Sequence, residues 1–325
     1  MQENNKIISL NIEDLEKEIA NGKNYVLLEP IHDSKMNVLI GTTKILTLKD
    51  IEKIRERCPE VLKNQIKVKH TVPHYVDEEK RVQWIDYIVA QIDKNDLFKS
   101  LQKDCKDFIA KYIKLTLKDN DYIIWKLSQL KTFSKKIFEH TIFTSFISIL
   151  AYRAYCSLKL QGMINGSEIE KVIEASLLHS IGLTKYNVSF VEQKRVDIEN
   201  SEENISFFQY PIESMRIINS EKERHEISEE VIEAILNHNE YLDGTGNPRG
   251  IGGEDISLIA RVVGASHYFE LLLRGEYTLK AREAKFYLER LKAMKGKLDP
   301  DVVEAICKSF KHIFANATKE FLSNH

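Results

Sequence analysis

The stretch Phe138 to Leu160 constrains this chain more than any other. It is apolar on nearly every face, and a helix without a polar face has to be enclosed by other protein. Its most apolar part, Ile142 to Tyr155, is too short to span a bilayer and contains Arg153. Several further helices must therefore surround it. Ser167 with Glu170 reads as a capping box that opens one of them, carrying Val172, Ile173, Ala175, Leu177 and Leu178 and ending near His179. Ser228, followed by Glu229 and Glu230, starts another that leads to His238. Asp299-Pro300 starts the last. The polar stretch Thr184 to Gln209 is expected to be a loop with at most short structure.

The chain before this block reads differently. Residues 1–72 form a small α/β module, with strand-like Tyr25 to Leu28 and Asn37 to Ile40, a helix over Leu48 to Arg57, and an edge strand over Gln65 to Lys69. Pro73 and the charged run Asp77 to Arg81 mark a boundary. Residues 73–120 are read as a helical connector. One apolar stripe runs through Val82, Ile85, Ile88, Val89 and Ile92, and another through Leu97, Leu101, Cys105, Phe108 and Tyr112. Residues 121–325 form the second, nearly all-helical domain. The fold class is mainly α.

With 47 basic and 49 acidic residues the net charge is −2, which does not indicate a nucleic-acid or anionic-membrane surface. The start of the chain does not read as a signal peptide. The cysteines Cys58, Cys105, Cys156 and Cys307 are scattered without a paired motif and are expected to be reduced. A cytoplasmic protein without membrane insertion is the expectation.

The most informative motif is His238-Asn239-Glu240-Tyr241-Leu242-Asp243-Gly244-Thr245-Gly246-Asn247-Pro248. Its Asp-Gly-Thr-Gly part has a purely structural account, as a turn in which Gly244 and Gly246 supply positive φ angles. Glu240 can cap or pair locally. The whole string also resembles the HHExxDGxGYP signature of HD-GYP phosphodiesterases, which hydrolyse cyclic di-GMP. Glu240, Asp243, Gly244, Gly246 and Pro248 fit that signature. Asn239 stands for its second histidine and Asn247 for its tyrosine.

The resemblance extends over roughly residues 125 to 318 and implies an HD-GYP-like helical domain whose histidines and carboxylates would hold two metals. His140 matches the first histidine. Leu177-Leu178-His179-Ser180-Ile181-Gly182-Leu183 matches the Leu-Leu-His-Asp-Ile-Gly-Lys string, with Ser180 replacing the bridging aspartate. Tyr210 replaces a histidine before proline. Arg261-Val262-Val263-Gly264-Ala265-Ser266-His267 matches a string ending in a metal-binding aspartate. Glu276 and Lys280 fall on basic positions implied to contact phosphate, and only Lys280 keeps the charge.

A serine hydroxyl is a poor ligand for a hard divalent cation, and two metals without a bridging carboxylate repel each other. The expectation is therefore a degenerate, non-catalytic signalling or scaffold protein. It would hold no cofactor and act through a protein partner, with cyclic di-GMP binding left open and the oligomeric state not legible. The alternative is a metal-dependent phosphohydrolase with a reduced site. In it, His140, His179 and His267 surround one zinc, iron or manganese ion and His238 is left at the second position. The pocket itself is expected to be filled by side chains such as Leu183 and Tyr210.

Overall fold

A computed structural model describes residues 7–21, 25–33, 38–40, 46–70, 78–193, 209–221, 225–273 and 281–323. The chain divides into two compact units, residues 1–75 and 76–325. The expected boundary at Pro73, and the positions of Glu276 and Lys280, lie outside the described residues.

The first unit runs β1 (Ile7–Leu10), α1 (Ile12–Ala20), β2 (Tyr25–Leu27), β3 (Ile31–His32), β4 (Val38–Ile40), α2 (Leu48–Arg57) and β5 (Ile66–His70). Its main sheet is antiparallel with the order β1-β5-β2, and β3 pairs with β4 separately. The strand at Ile66 to His70 is thus central, not an edge. Ile7 to Leu10 pairs along its other side, and that strand carries no alternation strong enough to announce itself. Both helices have side-chain caps. Asn11 accepts from the Asp14 N–H, and Thr47 and Asp50 cap each other's backbone reciprocally. The caps aim Leu15, Ile19, Ile51 and Ile54 into a core with Leu27 and Val68.

The second unit contains α3 (Glu78–Val89), the short α4 (Gln91–Lys94) and α5 (Asp96–Lys99), α6 (Lys103–Leu117), α7 (Asp121–Phe133) and α8 (Lys135–Lys159). It continues with α9 (Gly166–Leu178), α10 (Val188–Gln193), α11 (Tyr210–Ser220), α12 (Glu229–Asn237), α13 (Leu258–Leu273), α14 (Ala281–Ala293) and α15 (Pro300–Ser323). The segment read as a connector packs within this unit, with α6 against α8 and α9. Its stripes shift accordingly. Val82 is exposed, and α6 buries Ile109, Ile113 and Leu117 while Phe108 and Tyr112 are only half-buried. Phe108 instead stacks under the Arg153 guanidinium.

Helix α8 is the centre. Ser134 caps it, and α7, α9, α13 and α15 surround it. It has the length and apolarity of a membrane span, but 72% of its apolar window is buried inside the bundle. Phe98 of α5 joins Phe143, Phe146 and Phe310 in an aromatic cluster against it. At the start of α9 the cap is Asn165, whose side chain accepts from the Ser167 and Glu168 N–H groups, and not the expected Ser167-Glu170 box. The helix begins two residues earlier than that box requires, which leaves Ser167 inside the first turn. The caps at Ser228 and Asp299 are as expected.

Candidate metal centre

Four helices deliver four histidines to one place. His140 lies in the first half of α8, His179 and His238 directly follow α9 and α12, and His267 lies in α13. Neighbouring rings lie 4.9 to 5.3 Å apart between centroids. His179 is fully buried, and His140 and His238 nearly so.

The imidazoles form two groups. In the first, His179 Nε2 stands 3.2 Å from His140 Nε2 and 3.1 Å from His267 Nδ1. One donor atom from each residue lies within 4.8 Å of the other two. His179 Nδ1 faces the Ser176 carbonyl at 2.6 Å, so that nitrogen carries the proton. His140 Nδ1 hydrogen-bonds the carboxylate of Glu270, a fully buried residue of α13. Ser180 Oγ lies 2.8 Å from His179 Nε2. The loop after α9 is held from behind. Ser214 Oγ accepts from the Gly182 N–H and donates to the His179 carbonyl, each at 2.8 Å.

The second group is His238, Tyr210 and Asn239. His238 Nδ1 donates to the Ile235 carbonyl at 2.6 Å, which leaves Nε2 as the acceptor. The Tyr210 hydroxyl lies 2.7 Å from that Nε2, and the Asn239 amide donates to the same hydroxyl at 3.1 Å. Tyr210 packs with Leu130, Ile137, Leu183 and Val191 in one apolar cluster. Leu183 and Tyr210, the two side chains expected to fill the pocket, share this cluster. Burial pushes the His238 imidazolium pKa down to about 4, with the nearby His140 adding to the effect.

Tyr210→Phe removes the hydroxyl and leaves two inward-facing polar groups short of a partner. It is expected to cost about 1–3 kcal/mol. Urea denaturation followed by tryptophan fluorescence checks this, and an unchanged midpoint would mean that the hydroxyl contributes nothing to stability.

The signature loop turns out to be held by its own bonds. Asp243 is exposed and accepts from the Thr245 N–H and hydroxyl, which hold its carboxyl below the usual range. Buried Glu240 accepts the Arg249 N–H at 2.5 Å, tying the loop's two ends together. Gly244 has the expected positive φ of 78°, whereas Gly246 does not share it. Gly246 is needed for space, since a Cβ there would stand 2.3 Å from the Tyr241 nitrogen. Asn247 donates its N–H to the Asn239 carbonyl, and the Asn247-Pro248 peptide is cis.

Glu270 is the site residue that the sequence reading missed. A carboxylate three residues after His267 on one helix shares its face, and it interrupts the apolar run Tyr268 to Leu273. Those two signals could have found it.

A family model described as "HD domain" matches residues 134–302, more than half of the chain. The chain belongs to the HD-domain family. A cyclic di-GMP phosphodiesterase of Borreliella burgdorferi, PdeB, is 29% identical over 144 residues, covering 44% of this chain and 36% of that protein. A cyclic di-GMP phosphodiesterase of Pseudomonas aeruginosa is 31% identical over 84 residues, or 26% of this chain and 20% of the relative. The matched stretches thus span about a third and a fifth of these relatives. Within the HD superfamily this is an HD-GYP-like protein. Among solved structures, the HDG"Y"P protein Bd1817 of Bdellovibrio bacteriovorus aligns with a TM-score of 0.43 and 16% identity, over 94% of this chain and all of that one.

Proposed function

We propose that this chain is a degenerate HD-GYP-like signalling or scaffold protein of the cytoplasm, which acts by binding a protein partner and does not cleave cyclic di-GMP. The observation that carries this reading is Tyr210. Its hydroxyl engages the coordinating nitrogen of His238 at 2.7 Å and its ring is buried among apolar side chains, so the one histidine left at the second metal position of a two-metal hydrolase is already taken up by a protein side chain. Ser180 supplies no carboxylate to bridge two ions. A phosphodiester placed there would lack the paired Lewis acids that stabilise both attacking and leaving oxygens.

A second reading is favoured by one specific observation, the convergence of His140, His179 and His267. A single metal there could still turn a water into hydroxide near neutral pH and support hydrolysis of a simpler phosphate ester.

Incubation with cyclic di-GMP, with manganese, iron or zinc supplied in turn and products separated by chromatography, distinguishes the two. The expected result is no linear dinucleotide and no mononucleotide with any metal. Turnover that disappears in His179→Ala would sink the non-catalytic reading.

A further inference from the structure

We propose that the groove between α14 and α15 is the docking site for an amphipathic helix of a partner protein, apolar along one face and acidic along its flanks. This deepens the proposed function and rests on it, since it names the surface and the chemistry of the partner inferred there.

The groove lies where the two helices meet at their turn. Gly296, with a φ of 87°, closes that turn, and the Lys297 and Leu298 N–H groups both return to the Met294 carbonyl at 3.0 Å. The backbone is occupied, so recognition falls to side chains, as when a helix lies in a groove, and not to strand addition. Beside the turn is a cavity of about 320 Å³. Leu291, Met294 and Leu298 line it from α14 and the turn, and Val303 and Cys307 line it from α15. Val303 and Cys307 stand one turn apart on their helix. Such a cleft suits the side chains that a partner helix presents at i, i+3 and i+4. Met294 and Cys307 are half-buried, so part of the apolar floor is open to solvent, and the unbranched thioether adapts to what enters.

Charge selects the occupant. The chain has 49 acidic and 47 basic residues, yet residues 290–297 carry Arg290, Lys292, Lys295 and Lys297 and no acid. Lys292 and Lys295 line the groove, are exposed and make no ion pair among the described residues. The acids that follow, Asp299 and Asp301, are already paired with Arg261 and Lys159. Glu304 is the one acid on the rim. A second copy of this chain, facing the first across a two-fold axis, would set lysines against lysines. A membrane surface takes apolar side chains that protrude from a helix, whereas these lie in a recess. An acidic helix meets both the floor and the rim. The groove also borders the signature loop, because the Lys297 carbonyl accepts the Leu242 N–H at 2.8 Å and the Lys297 ammonium lies over the Tyr241 ring.

The test titrates the full chain into a fluorescein-labelled helical peptide with leucines at i, i+4 and i+7 and glutamates on both flanks. Fluorescence anisotropy reads binding. One comparison peptide has lysines for the glutamates, and another has serines for the leucines. The acidic peptide is expected to bind one to one, and each comparison at least about tenfold more weakly. Lys292→Glu combined with Lys295→Glu, both on exposed side chains, should weaken the acidic peptide by about tenfold while far-ultraviolet circular dichroism stays native. Added salt should act in the same direction. Glu304→Gln should tighten binding, and Met294→Glu should weaken it through the floor.

No binding of the acidic peptide, equal binding of its basic counterpart, or binding that the two lysine reversals leave unchanged overturns the site. A dimer of the chain in sedimentation velocity that those reversals dissociate also overturns it, by making the occupant a second copy. Capture on phosphatidylserine vesicles without binding of the acidic peptide does so as well. Hydrolysis of cyclic di-GMP by a chain that still binds the peptide would instead overturn the proposed function and leave the groove standing.

Discussion

Gly182→Ala is expected to destabilise the unit of residues 76–325 by about 3 kcal/mol and to lower its melting midpoint by roughly 10 °C. A Cβ at Gly182 would lie 2.1 Å from the Tyr210 carbonyl oxygen and 2.6 Å from the Ser214 nitrogen. Both are backbone atoms at the start of α11, so no side chain can turn away. The turn after α9 and the start of α11 would have to separate by about an ångström. That movement stretches the Gly182–Ser214–His179 hydrogen bonds and withdraws Tyr210 from His238. The readout is clean because Trp84 and Trp125 are the only tryptophans of the chain and both belong to this unit. Gly166→Ala serves as the control. Nothing lies within 4 Å of the added carbon there, and the backbone is helical. A melting midpoint for Gly182→Ala equal to that of the control would mean that α11 does not press on this turn as the structure has it.

The same residues show what could be read in advance and what could not. A helix as uniformly apolar as α8 has one solution in water, so its central position followed directly from its sequence. The histidines were legible because their strings keep a fixed order along the chain. His140, His179 and His267 do converge, and His238 stands beside them but belongs to Tyr210. What local pattern could not give were pairings between distant segments. Glu270 meets His140 across a separation of 130 residues; its spacing from His267 marks it as facing the site but does not name His140 as its partner. The central position of β5 depended on β1, a four-residue strand near the start of the chain. At the start of α9, Asn165 and Ser167 are both good caps, and their side chains differ too little for composition to decide between them. Gly246 looked like a conformational requirement and proved to be a steric one, a distinction that needs the neighbouring backbone in view.

Acid should unfold this unit through His238. Its pKa is held down to about 4 in the folded protein, against an ordinary value of 6.5. The unfolded chain therefore takes up the proton first as pH falls. The stability that the neutral, buried imidazole contributes is complete above about pH 6.5. It drains away between that value and about pH 4, and below it both states are protonated and the loss stops. At 1.36 kcal/mol per pH unit the drop over this window is about 3 kcal/mol. The physical cause is that the site offers a proton on Nε2 nothing to replace lost water. His238 Nδ1 already donates to the Ile235 carbonyl, and on the other side the Tyr210 hydroxyl, which also accepts from Asn239, would have to turn its own proton away. Urea midpoints followed by tryptophan fluorescence at pH 7 and pH 4.5, with chelator present, measure the effect. Carboxylates titrate in the same range, so the informative quantity is the difference from His238→Gln. That variant has no proton to take up, and its stability is expected to fall by about 2–3 kcal/mol less than that of the native chain over the interval. Parallel losses in the two proteins would place the acid-sensitive group elsewhere and would remove the case for a sealed, neutral imidazole at the second metal position.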